Sequence, residues 1–71
     1  MLPLSLAQVG KEAVIHRVSG NPEIKKHLED MGFVAGGRVT VVSEMGGNLI
    51  VAVKDSRVAV SREMAQKILV M

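Results

Sequence analysis

A chain of 71 residues with no cysteine has few ways to hold itself together. Domains shorter than roughly 70 to 80 residues bury a small core and lean on a disulfide, a metal, a partner or very regular packing. Without cysteine the disulfide route is closed. Thiolate zinc sites and thiol nucleophiles close with it, which excludes zinc ribbons, redox CxxC proteins and cysteine hydrolases. The length leaves room for one domain, residues 1–71. The absence of cysteine also suits a reducing compartment.

What remains to build a core is aliphatic. There are 12 Val, 4 Ile and 6 Leu against a single aromatic residue, Phe33. Such a β-branched content favours strands. The longest uninterrupted apolar run, residues 49–53, is far shorter than the roughly 20 residues of a membrane span, so a non-spanning chain is expected. Residues 1–8 show no basic leader and no cleavage motif, and the expected address is cytoplasmic.

Turn and cap residues divide the chain. Ser5 to Gln8 offers a cap and an N3 glutamine, predicting one helical turn ended by Gly10, with Leu2, Leu4, Leu6 and Val9 sealing one end of the core. Residues 13–18 read as a first strand, with Val14, His16 and Val18 on one face and Ala13, Ile15 and Arg17 on the other. Asn21, Pro22 and Glu23 then open a helix as cap, N1 residue and first-turn acid. Its apolar stripe is Ile24, Leu28 and Met31, and Gly32 stops it. Residues 38–44 predict a second strand, with Val39 and Val41 on one face. Met45-Gly46-Gly47-Asn48 is a hairpin turn on an exposed tip. Residues 49–53 and 58–60 follow as strands three and four around a tight turn at 54–57. Ser61 caps a helical turn to Gln66, and residues 67–70 form strand five. Five short strands at this spacing predict a mainly β chain, a small barrel whose closure would remove exposed edges.

No catalytic pattern stands out. The serines sit at turns and strand ends outside any GxSxG elbow, and the glycine pairs at 36–37 and 46–47 lack phosphate-loop spacing. So narrow a barrel leaves little room for a substrate pocket, and no enzyme is expected. Glu23, His27 and Asp30 share one edge of the helix at i, i+4 and i+7, a donor set suited to a divalent transition metal. The same spacing also describes a solvated charged face, and no resident cofactor is expected. Lys25 and Lys26 on the helix, and Met45, Gly46, Gly47 and Asn48 on the hairpin, are the candidate partner contacts. The formal charge of +2 comes from the half after residue 35, with five basic and three acidic groups. This is the only support for nucleic-acid binding, and one Phe supplies no base-stacking platform.

The segment Leu28-Glu29-Asp30-Met31-Gly32-Phe33, with the leucine-rich turn from Leu4 to Gly10, the glycine at 37, the meander at 39–60 and the closing Ala65, Ile68 and Val70, resembles the FeoA family of ferrous iron transport proteins. That resemblance implies an SH3-like five-stranded barrel with short helices. It also implies a non-catalytic cytoplasmic accessory that contacts FeoB, the GTP-binding membrane transporter of ferrous iron. Two alternatives stand beside it. One is a small nucleic-acid-binding barrel, and the other is a metal-responsive module like the C-terminal domain of DtxR-type repressors.

Overall fold

The computed structural model describes residues 1–71, in the order β1 (Leu2–Pro3), a 3-10 turn (Leu4–Leu6), β2 (Glu12–Val18), α1 (Pro22–Asp30), β3 (Arg38–Met45), β4 (Asn48–Val53), β5 (Ser56–Ser61), α2 (Arg62–Ala65) and β6 (Ile68–Val70). The strands form one antiparallel sheet in the order β1-β6-β2-β3-β4-β5. The mainly β expectation holds, with one strand more than predicted. β1 is only two residues long, and its pairing of Leu2 with Val70 and Pro3 with Leu69 leaves no periodicity to read.

The meander follows from alternation. Val39 and Val41 on β3, Leu49, Val51 and Val53 on β4, and Val60 on β5 all point inward and are buried. They join Leu4, Ile15, Val18, Leu28, Phe33, Ala65, Ile68 and Val70 in one core of 14 apolar residues with no buried polar or charged side chain. β2 departs from the expected facing. Its register with β6 shifts between Ile15 and Arg17, so His16 is an extra, bulged residue. The bulge turns both Ile15 and Val18 inward and leaves His16 and Arg17 exposed.

The helix is built as its cap residues dictate. The Asn21 side chain accepts from the Ile24 N–H at 2.8 Å, and Pro22 takes the first helical position. At the other end the Phe33 N–H donates to the Leu28 carbonyl and the Gly32 N–H to the Glu29 carbonyl, each at 3.0 Å. This paired closure is a Schellman motif. It needs a left-handed residue at Gly32, whose φ is +107°, and it sets Leu28 and Phe33, both 0% exposed, into the core. The six-residue segment that carries the family resemblance is therefore a helix-ending device.

Two expectations about the ends of the sheet fail. The 3-10 turn starts after Pro3, with no side-chain cap from Ser5, and only Leu4 of the predicted seal is buried. Leu2, Leu6 and Val9 stay exposed: Leu2 is on the two-residue edge strand, Val9 lies past the turn, and with three residues per 3-10 turn Leu4 and Leu6 project in different directions, so only Leu4 enters the core. Nor do hydrogen bonds close the barrel, since β1 and β5 are separate edges of the sheet. Closure comes from packing: α2, capped by the Ser61 hydroxyl accepting from the Met64 N–H at 3.1 Å, lies against the 3-10 turn as well as β4 and β5.

Candidate functional site

The residues expected to make contact fall in two places, and both are tied down. Lys25, Lys26, Glu23, His27 and Asp30 are all exposed on α1. Lys26 and Asp30, one helical turn apart, form an ion pair at 3.3 Å with both side chains mostly in water. Glu23, His27 and Asp30 keep the helical spacing but do not converge, and no three carboxylate or imidazole groups anywhere in the chain are grouped as a metal cage. At the hairpin, Met45 and Asn48 are the closing pair of β3 and β4, so the turn itself is only Gly46 and Gly47. Both have positive φ, +53° and +86°, as a tight two-residue hairpin demands. Met45 is 67% exposed. The tip is braced rather than loose, because the Arg62 N–H donates to the Gly47 carbonyl at 2.9 Å and the Arg62 guanidinium pairs with Glu44.

A third surface, not singled out from the sequence, is an open groove of about 270 Å³ where the two chain ends meet. β6 lies between β1 and β2, and the Met71 N–H donates to the Val14 carbonyl at 3.0 Å, which brings the C-terminus alongside the N-terminal turn. Leu2, Leu6, Ala7, Ala13, Val70 and Met71 line the groove, with Gln8, Lys11 and Glu12 as its polar members. Leu6 is 71% exposed and Met71 67%. Neither lies among the apolar residues that pack against the core. The only sequence signal is the excess of leucines in a short N-terminal stretch, which by itself reads as a core seal.

The groove falls just below the usual range of small-molecule sites, and its polar lining is limited to Gln8, Lys11 and Glu12. Its chemistry is apolar contact. No helix of the chain is long and apolar enough to cross a membrane. Phe33, the one aromatic ring, is fully buried and offers no surface on which a base could stack.

Fold and surface together define a small SH3-like β-barrel with an open, mostly apolar groove where its termini meet. The FeoA domain model matches residues 2–71, and the chain belongs to the FeoA family. It is 30% identical over 70 residues to "Putative Fe(2+) transport protein A" of Methanocaldococcus jannaschii, covering 99% of this chain and 85% of that protein. Its structure superposes on Stenotrophomonas maltophilia FeoA, crystallised with zinc and described as an SH3 domain protein, with a TM-score of 0.88 at 28% identity, covering 100% of this chain and 91% of the other. The SH3-like expectation is met. A manganese-dependent transcriptional repressor gives a TM-score of 0.84 at 24% identity over 96% of this chain but 39% of its own, a likeness of fold alone.

Proposed function

We propose that this chain is a non-catalytic accessory of ferrous iron uptake. It works in the cytoplasm by binding the FeoB-like GTP-binding transporter, with the groove between Leu2, Leu6 and Met71 as the contact surface. The observation that carries this reading is the pair of large apolar side chains, Leu6 and Met71, left outside the core beside an apolar groove in a chain of the FeoA family. Apolar groups held out of a core that is otherwise fully buried gain by meeting a partner. Membership of a family named for Fe(2+) transport supplies the process, and iron is then the transporter's cargo rather than a resident cofactor of this chain.

The α1 face and Met45 are secondary contacts in this reading. Lys26 is already paired within the helix, and Met45 is a single apolar side chain on a braced tip. The test is capture of the transporter from a bacterial membrane extract by the immobilised chain. Capture is expected from the native chain and from a Lys25→Glu/Lys26→Glu variant, and loss is expected from Leu6→Ser/Met71→Ser. Equal capture by the groove variant would remove the assignment. Salt-sensitive binding of duplex DNA or single-stranded RNA in place of the transporter would favour the nucleic-acid alternative.

A further inference from the structure

The two edges of the sheet are protected to very different degrees. β1 presents two residues, one of them Pro3, which has no N–H to donate. β5 presents six, Ser56–Ser61, with no proline and no bulge, paired with β4 in unbroken register from Asn48 opposite Ser61 to Val53 opposite Ser56. The Lys54-Asp55 turn joins Val53 directly to Ser56, and the Arg62 N–H bonds the Gly47 carbonyl at the far end. Both facts set the same alternation: Ser56, Val58 and Val60 exchange hydrogen bonds with β4, while Arg57 and Ala59 aim their N–H and C=O groups away from it. No strand pairs with that side of β5, and no turn or loop hydrogen bond uses the Arg57 or Ala59 backbone.

Charge selects among possible occupants. Arg57 is exposed as the second residue of this edge, Lys54 lies in the turn that leads into it, and neither takes part in any of the chain's three ion pairs. A second copy adding antiparallel would satisfy the backbone but not the charge. With its dyad on Arg57, Val58 or Ala59, the residue opposite Arg57 is Arg57, Ala59 or Ser61 of the second copy, not a carboxylate. The register that brings Asp55 opposite Arg57 has its dyad on Ser56 and slides the rest of β5 past the second copy's strand.

We propose that the β5 edge accepts an extended segment of a partner protein by strand addition, with an acidic side chain of that segment set opposite Arg57 and a small one opposite Ala59. Main-chain hydrogen bonds to Arg57 and Ala59 supply the attachment, and the cation supplies the selection. The inference rests on the reading that this chain works by protein contact, and it adds a mode of recognition separate from the apolar groove.

The probe is a capped peptide alternating Thr and Val with a central Glu, titrated into the labelled full chain and followed by amide shifts and hydrogen exchange. The Arg57 and Ala59 amides should shift and slow their exchange, and a backbone N-methylated peptide should leave them unchanged. Ala59→Pro removes an outward N–H that β4 does not use, and it should weaken binding by about tenfold or more. Arg57→Glu should lose the Glu peptide and recover binding to its Lys counterpart, a swap that decides the matter even if Ala59→Pro does not fold. The inference is overturned by shifts confined to Leu6 and Met71, by no shifts at millimolar peptide, or by equal binding of the N-methylated peptide. Sedimentation showing that the native chain dimerises and Ala59→Pro does not would assign the edge to a second copy and overturn it too. Should Ala59→Pro and Arg57→Glu capture the transporter as well as the native chain does, the edge is refuted while the accessory reading stands. Should the native chain capture no transporter, that reading fails and the peptide titration alone judges the edge.

Discussion

The helix end at Leu28 to Phe33 and the groove at the chain termini are both rich in large apolar side chains, yet they treat them in opposite ways. At the helix end a Schellman closure carries Leu28 and Phe33 wholly into the core. At the groove, β1 and the 3-10 turn are too short to cover their own residues, and Leu2, Leu6 and Met71 remain in water. The Leu28 to Phe33 motif thus serves folding, while the groove is lined partly by the leucine-rich N-terminal turn, whose Leu6 the fold leaves in water. Buried apolar groups are constrained by shape from every side, whereas exposed ones are constrained only by what they dock against.

The contrast can be broken most sharply at Phe33. Phe33→Ala should cost about 3–5 kcal/mol, which for so small a domain approaches its whole stability, and thermal or urea unfolding should show the cooperative transition lost or shifted far down. Gly32→Ala attacks the same closure through the backbone. A side chain at φ +107° is strained, and its Cβ would sit 3.4 Å from the Val53 Cγ2, so a loss of about 1–3 kcal/mol is expected by denaturant titration. At the groove the order of effects inverts. Leu6→Ser should leave the unfolding midpoint within about 0.5 kcal/mol of native, while transporter capture falls by about tenfold, a difference of 1.4 kcal/mol in binding. If Leu6→Ser instead destabilised the chain as Gly32→Ala does, the two regions would not differ in kind. The smallest effect belongs to the α1 surface. Breaking the exposed Lys26 and Asp30 pair with Asp30→Asn should move neither the unfolding midpoint nor its salt dependence measurably.

Much of the fold was legible because its devices are local. Asn21 and Pro22 at the start of α1, Gly32 at its end, the Gly46-Gly47 hairpin and the Ser61 cap each act within four residues, and each performs as its chemistry predicts. The inward alternation of Val39, Val41, Leu49, Val51 and Val53 was readable for the same reason. The bulge at His16 was not, because it depends on how β2 meets β6, some 50 residues along the chain. β1 was missed because its pairing with β6 is likewise long-range. Of the candidate site, the exposure of Lys25, Lys26 and Met45 was foreseen, but the groove was not. Its lining comes from residues 2–13 and from residues 70 and 71, which meet only when the ends fold together.

By itself, the sequence determined a mainly β fold with an aliphatic core and no thiol chemistry, with helices where caps and glycines place them. Those outcomes depend on composition and on neighbours in the chain. Only the tertiary structure decided which apolar residues were left over, where the termini opened a groove, and which sheet edge stayed unpaired. Each of these is set by the pairing of distant segments, whose registers are chosen by the burial of the whole core rather than by any local run of residues.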